Sequence, residues 1–488
     1  MTNKNDIQHE VGVVVKAKRY LLTLNGLPSV KVNDIIVDEV SGNRAIVRAM
    51  SDEYVFALSF SGIVRPGDRY TYYQDEYMYS VGEYLYGRVI DALGRPVDDK
   101  GSFPSANVSF RLDVEAPGIE VRKHITQQLY TGVTTVDTLI PIAKGQRQLM
   151  FGPMRSGKST FLTGTVLEQV KSGTVCIYTV IGKPITGLKK ITERIIDGAP
   201  KESKVVVLSA VSDDPPSMIA IAPSVAFLLA EYFQSKGEDV LVVLDDLDAH
   251  AKYLREIALL EGRLPSTESY PGDIFYQHAH LMERSGDFID SHGGGSITSL
   301  PVIQTDLKNF SDLIPTNVMA CTDGHLSFSP TKRAQGVYPS INIAESVTRV
   351  GRQSQRTLQK QVTRHVQRLL GKYRSQQEYA KFSTDLNESA QEVLRLGGII
   401  DVLLEQSPED TFSPVVQVLM LGLVFSNYFD KHVTASDVVG YKKVLTNTLH
   451  EADDFDDLRN MVLDDGSTWQ GFLDALAEKH KFLNSVCQ

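Results

Sequence analysis

The chain is poor in cysteine. Cys176, Cys321 and Cys487 lie far apart and are odd in number, which excludes a disulfide framework and a cysteine zinc site and fits a reducing compartment. It also lacks net positive charge. With 50 Lys+Arg against 60 Asp+Glu the balance is −10 at pH 7, so bulk charge gives no support for nucleic acid as a partner. The first ten residues have no apolar core and are neither Arg-rich nor free of acid, which argues against a secretory signal and a transit peptide. The longest apolar run, Val418 to Phe425, is far short of the roughly 20 residues a membrane helix needs. Membrane association is expected only through partners. Tandem repeats and a low-complexity tail are absent too.

What is present is organised around one loop. Gly152-Pro153-Met154-Arg155-Ser156-Gly157-Lys158-Ser159 reads G-x-x-x-x-G-K-S. Leu149, Met150 and Phe151 predict the end of a buried strand before it. Leu162, Val166 and Val170 recur every four residues after it and predict a helix packed by one face. A strand, a Gly-bounded turn and a helix N-terminus form an anion site, because free backbone N–H groups and the positive end of the helix dipole face the phosphates. Lys158 is expected to reach the terminal phosphates and the Ser159 hydroxyl to hold Mg²⁺. Gly152 to Ser159, with Thr160 just past them, are the candidate ligands of ATP or ADP. The alternative is a strand–helix turn that happens to contain Gly and Lys.

At 488 residues the chain should hold several domains. Residues 11 to about 74 carry short alternating apolar runs, among them Val11, Val13 and Val15. Asn25-Gly26, Ser41-Gly42-Asn43 and Pro66-Gly67-Asp68 punctuate them, which predicts a small β-barrel. From about 75 to 355 strands alternate with helices, as in an α/β domain with a largely parallel sheet. Cys176 to Ile181, Lys204 to Leu208 and Val240 to Leu244 read as its buried strands, with Phe227 to Phe233 as a covering helix. The last of these strands runs into Asp245-Asp246. Asp245 is the better candidate for the Mg²⁺-side carboxylate, reaching the metal through water; two solvated turn carboxylates are the other reading. From about 356 to 488 the spacings Val362, Val366, Leu369, Leu370, Tyr373 and Leu386, Ala390, Val393, Leu394 predict amphipathic helices of a bundle. The acidic run Glu451 to Asp457 reads as a solvated helix face or turn.

Nearly end to end, the chain resembles the alpha subunits of F-type ATP synthases. The stretches that carry the likeness stand in that family's order. Gly87-Arg-Val-Ile-Asp-Ala-Leu-Gly94, Ala116-Pro-Gly-Ile119, Thr131-Gly-Val and Asp137-Thr-Leu-Ile-Pro-Ile142 precede the loop. Tyr270-Pro-Gly-Asp-Ile-Phe-Tyr276, Gly293-Gly-Gly-Ser-Ile-Thr-Ser-Leu-Pro301, Ile314-Pro-Thr-Asn317, Thr322-Asp-Gly324 and Ser346-Val-Thr-Arg-Val-Gly351 follow it. The segments Phe382-Ser-Thr-Asp-Leu386 and Phe412-Ser-Pro414 also resemble alpha subunits. The resemblance implies a RecA-like central domain between barrel and bundle. It implies a beta-type catalytic partner alternating with this chain in a ring of six, a gamma-type central rotor against the bundle, and stator subunits. It also implies a peripheral place on the cytoplasmic face of a bacterial membrane and, for Gln406, a place on the nucleotide.

Beta subunits of that family carry a catalytic glutamate in a Gly-Glu-Arg motif. Here the motif reads Ile181-Gly182-Lys183-Pro184. A base for attacking water needs an acceptor, and a charged lysine has donors only. The resemblance is therefore to the paralogue that binds nucleotide without hydrolysing it. For Arg349 it implies a finger reaching the γ-phosphate in the neighbouring beta site, which suits a planar, permanently charged group. Three departures stand out. Pro153, Met154 and Arg155 replace the Asp, Arg and Gln usual in alpha loops, and Tyr338-Pro339 replaces an Arg-Pro on the adenine side. The stretch before Glu10-Val-Gly12 is shorter than the usual stator-docking helix, so a divergent branch or a different stator is expected. A self-sufficient homohexameric ATPase of the secretion or helicase kind is the competing reading; it would need base and finger on one polypeptide. A structural relic that binds nothing is a third, opposed by the intact loop.

Overall fold

The computed structural model describes residues 10–61, 64–74, 77–110, 114–262, 270–305, 312–380 and 387–487. They form two compact units that interleave along the sequence. One comprises 1–124, 145–154 and 169–323, the other 125–144, 155–168 and 324–488.

In the first unit, strands β1 (Val11–Lys18), β2 (Leu21–Asn25), β3 (Ile35–Asp38), β4 (Arg44–Met50), β5 (Tyr54–Ser59) and β6 (Arg69–Gln74) close a barrel in the order β1-β2-β5-β4-β3-β6. Closure removes the open edges that a small sheet would expose. Its interior holds Val14, Leu22, Leu24, Ile36, Val47 and Tyr70. The alternating valines of β1 face outward, with Val13 and Val15 exposed and Val14 buried. Gly12 sets that register: a side chain there would run into Leu27. Alternation alone identifies a strand but not which of its faces is inner.

The same unit contains a parallel sheet of β7 (Arg88–Asp91), β8 (Gln148–Gly152), β9 (Val175–Ile181), β10 (Val205–Ala210), β11 (Val240–Asp245) and β12 (Ser296–Gln304). Their order is β8-β12-β11-β9-β10-β7. β9, β10 and β11 are buried along their whole length, as parallel strands covered on both faces are. The covering helix is longer than Phe227 to Phe233: it runs Pro216–Gln234, because Pro223 and Ser224 break the apolar run without breaking the helix. By length and composition it could cross a membrane, yet 78% of its apolar window is buried inside the fold. It serves as a core helix of the sheet.

The second unit is mainly helical. Thr357–Ala380 buries Leu358, Val362, Val366 and Leu370, and Glu388–Leu404, Pro414–Gly422 and Ala435–Glu451 follow it. Gly397 lies so close to Tyr373 that any side chain there would overlap the ring. Residues Phe382 to Leu386 lie outside the described residues. Around Phe455, which is buried, Asp453, Asp454, Asp456 and Asp457 are all exposed, as expected of a solvated acidic turn. A short strand pair, β13 (Gly324–Ser327) with β14 (Val347–Thr348), belongs to this unit. Asp137 anchors its centre. Completely buried, its carboxylate accepts from the Thr131 N–H and hydroxyl (2.8 Å each), the Gly132 N–H (3.0 Å) and Gln417 Nε2 (2.9 Å). Burial lifts that carboxyl to about 6 against the pull of those donors.

Candidate functional site

In the first unit, parallel strands bring their C-terminal ends to one edge of the sheet. Gly152 ends β8, Ile181 ends β9 and Asp245 ends β11. Val180 is in register with Asp245, and Gly152 with Gln304 of the strand between β8 and β11. Such an edge is where open α/β sheets gather ligand-binding loops. Gly152, Pro153 and Met154 begin the G-x-x-x-x-G-K-S loop there, with Met154 65% exposed. A cavity of about 420 Å³ lies beside them, lined by Pro153, Met154, Asp248, Lys252 and Gln304 among others.

At the same edge Gly182 turns the backbone at φ +65°. A side chain at that position would press on Ala249 and Tyr253, so the turn requires glycine. It delivers Lys183 onto the end of β11. Lys183 Nζ donates to Asp245 Oδ2 at 2.6 Å. The Tyr178 hydroxyl, from within β9, donates to the same oxygen at 2.7 Å. Asp245 is 2% exposed, the Lys183 side chain 22%. Burial and the adjacent carboxylates push the Tyr178 hydroxyl well above its ordinary range, so it stays a donor. Asp246 is used differently. Its carboxylate accepts the Ala249 N–H at 2.7 Å and caps the helix Leu247–Glu261. Burial and the Asp245 charge raise the Asp246 carboxyl to about 6. Neither aspartate is a solvated turn residue.

The rest of the loop belongs to the second unit. Arg155, exposed, takes φ +61°, a conformation that side chains other than glycine adopt at a cost. Ser156 is buried, and its carbonyl accepts from the Ser340 hydroxyl at 2.5 Å. Gly157 takes φ +103°, and a side chain there would collide with Ser340. Ser340 thus fixes the backbone of the loop from outside it. Lys158 is 7% exposed and opens the helix Lys158–Lys171, whose Phe161, Leu162 and Val166 are wholly buried. Its Nζ stands 3.5 Å from Ser156 Oγ. Ser159 is exposed and Thr160 half-buried in the first turn, where helix N–H groups have no intrahelical acceptor.

Elsewhere in this unit Arg349 follows β14. The Thr348 hydroxyl donates to the Pro141 carbonyl at 2.9 Å and accepts the Gly351 N–H at 3.1 Å. Gly351 packs directly on that carbonyl, where no side chain fits. These two anchors bracket Arg349 and leave its side chain exposed. Burial lowers the His325 pKa from its ordinary value, and the Arg349 charge adds to that effect. Gln406 is 8% exposed and its amide is engaged. It accepts the Thr134 N–H (2.6 Å) and donates to the Gly132 (2.9 Å) and Asp410 (3.2 Å) carbonyls. It acts as a strut, so what it offers a ligand is shape more than hydrogen bonds. A cavity of about 310 Å³ adjoins it, lined by Tyr338, Gln406, Phe412, Lys442 and Asn447 among others. Burial draws the Lys442 ammonium down to about 8, while it donates to the carbonyls of Val402 and Glu405.

The sequence singles out Lys183 and Asp245 but neither their pairing nor the Tyr178 hydroxyl that shares the carboxylate oxygen. Tyr178 is one aromatic in an apolar run and Ser340 carries no motif, so nothing local marks them; Pro141 lies in the Asp137 to Ile142 stretch, but nothing there marks its carbonyl as the anchor of Thr348.

Two family models match the sequence. One is the ATP synthase alpha/beta family, nucleotide-binding domain, over residues 132–348; the other is the ATP synthase alpha/beta chain, C-terminal domain, over 355–469. Among curated relatives, ATP synthase subunit alpha 2 of Polaromonas naphthalenivorans is 36% identical over 86% of this protein and 81% of its own length. ATP synthase subunit alpha of Dictyoglomus turgidum is 35% identical over 83% and 80%. That of Neorickettsia sennetsu is 33% identical over 90% and 87%.

Proposed function

Since the chain belongs to the ATP synthase alpha/beta family, we propose that it is an alpha-type, noncatalytic nucleotide-binding subunit of an F-type rotary ATP synthase or ATPase. The observation that carries this reading is an intact phosphate loop in a protein that has Lys183, salt-bridged to Asp245, where a catalytic carboxylate would stand. A protonated amine cannot accept a proton from attacking water. ATP or ADP is held by Gly152 to Ser159 and by Thr160 at the helix N-terminus. The exposed Ser159 hydroxyl is open to a metal; one oxygen of Asp245 already accepts from Lys183 and Tyr178. The cavity at Tyr338 and Gln406 suits the base.

The partners of this reading are beta-type catalytic subunits alternating with it in a hexamer, a gamma-type rotor, and a stator. The membrane is met only through other subunits, on the cytoplasmic face of a bacterial membrane, with ion transport coupled there. Arg349 acts in trans on the beta site. Domain limits of 1–74, 75–355 and 356–488 belong to the same proposal. A self-sufficient homohexamer is disfavoured because Arg349 would then lack a base on its own polypeptide.

The test is made on the purified subunit alone. Nucleotide binding is expected without hydrolysis, and turnover near the enzyme median of about 10 s⁻¹ would overturn the noncatalytic reading.

A further inference from the structure

We infer that Lys183 replaces the divalent cation on the carboxylate side of the nucleotide site, so that this protein takes ATP or ADP without requiring Mg²⁺. The inference rests on the nucleotide-binding reading of Gly152 to Ser159.

In a P-loop nucleotidase the acid at the end of the strand holds the metal. Here that acid is Asp245, the last residue of β11, on the same sheet edge from which the loop departs at Gly152. Its Oδ2 already accepts an ammonium proton at 2.6 Å and a phenol proton at 2.7 Å. Two donors use the lone pairs of one carboxylate oxygen. The ammonium also neutralises the charge that would attract a cation, and it repels one that approaches. Asp245 is 2% exposed, so bulk water cannot replace Lys183 at low cost, and a buried carboxylate stripped of its partner is strongly disfavoured. Asp246 does not compensate, because it is buried and one of its oxygens caps the next helix by accepting the Ala249 N–H. With two donors on one Asp245 oxygen and its charge balanced by the Lys183 ammonium, this side is a poor anchor for Mg²⁺. It fits an internal monovalent cation, tethered by the Gly182 turn, that balances one negative charge at the edge where the loop begins.

Affinity for the phosphates then follows from fixed positive groups of the protein itself, Lys158 and the helix N-terminus among them, and not from the metal. An acid that holds a hydrated metal would instead lose affinity steeply when the metal is withdrawn.

The experiment measures ATP binding to the full-length protein by titration calorimetry, once with millimolar MgCl₂ and once with excess EDTA. Wild-type dissociation constants within about fivefold of each other are expected; weaker binding in EDTA by more than about fivefold overturns the inference. Lys183→Gln is titrated in parallel. Its affinity is expected to become metal-dependent, by about tenfold or more between the two conditions. A ratio unchanged from wild type would show that Lys183 is not the cause and would also overturn the assignment. The wild-type pair needs no variant, so it decides the matter even where Lys183→Gln fails to fold. Absence of binding in both conditions is a different failure, because it removes the nucleotide-binding reading itself.

Discussion

Among the described residues, Arg349 is held by its neighbours, not by side-chain hydrogen bonds of its own. The Thr348 hydroxyl bonds to the Pro141 carbonyl and accepts the Gly351 N–H, while Gly351 packs on that carbonyl, and the Arg349 side chain between them is left exposed. A side chain presented this way is suited to a surface that another subunit completes. In the trans-acting role, Arg349→Ala should leave nucleotide binding to this subunit near wild type. Hydrolysis by the assembled ring should fall on the order of 10³-fold, about 4 kcal/mol of transition-state stabilisation. Arg349→Lys should restore little, because one point charge does not reproduce the two-pronged fork. Rate, occupancy and assembly are to be read on one preparation. An assembled ring still within about tenfold of wild type would remove the role. The Ser346 to Gly351 motif makes Arg349 legible in the sequence. Its anchoring is not, since Pro141 is more than two hundred residues away along the sequence.

The helices Leu247–Glu261 and Ile274–Glu283 show what pairing of elements adds. They bring His250 and His278 together, both in the core. His250 Nε2 lies 3.0 Å from the Ala220 carbonyl and so carries the proton, leaving His250 Nδ1 as acceptor for His278 Nε2 at 3.4 Å. His278 Nδ1 then faces no hydrogen-bond partner among the described residues, which a neutral ring tolerates and a protonated one does not. Burial draws His250 from 6.5 to about 4. Burial, then the neighbouring His250, draws His278 to about 3. The folded protein thus binds fewer protons than the unfolded one below pH 6.5. Stability is present in full above that pH and is lost as pH falls toward about 4. Each ring contributes on the order of 2 kcal/mol of loss between pH 6.5 and 5. Thermal melting across this range should show the decline, and His278→Leu should make it shallower. An unchanged slope would mean that these histidines are not what acid attacks. Neither histidine carries a sequence signal, because each reads as one polar residue on a helix.

At the scale of the whole molecule the proposed division of labour separates holding nucleotide from consuming it. Lys158 opens the loop helix and is 7% exposed, so its effect should be confined to this subunit's own ligand. Lys158→Ala is expected to weaken nucleotide binding to this subunit by about tenfold or more, since it removes a charge-assisted contact to phosphate. Hydrolysis by a ring rebuilt with the beta-type partner should stay within about threefold of wild type. Binding and ring turnover are to be measured on the same material. If turnover disappears together with binding, the site either performs chemistry or must be filled for the ring to work.

By itself the sequence determined whatever depends on near neighbours along the backbone. The strand–loop–helix of Gly152 to Ser159 and the shift from alternating strands to helical spacing lie within short windows. Local backbone preference and periodicity write such features directly. Only the tertiary structure decided the rest. It turned the β1 valines outward because Gly12 meets Leu27. It spent the Gln406 amide on Thr134, Gly132 and Asp410. It also set Lys183 and Tyr178 on one oxygen of Asp245. These outcomes depend on which distant groups burial places side by side. A buried polar atom must take whatever partner the packing brings, and no window of sequence contains that partner.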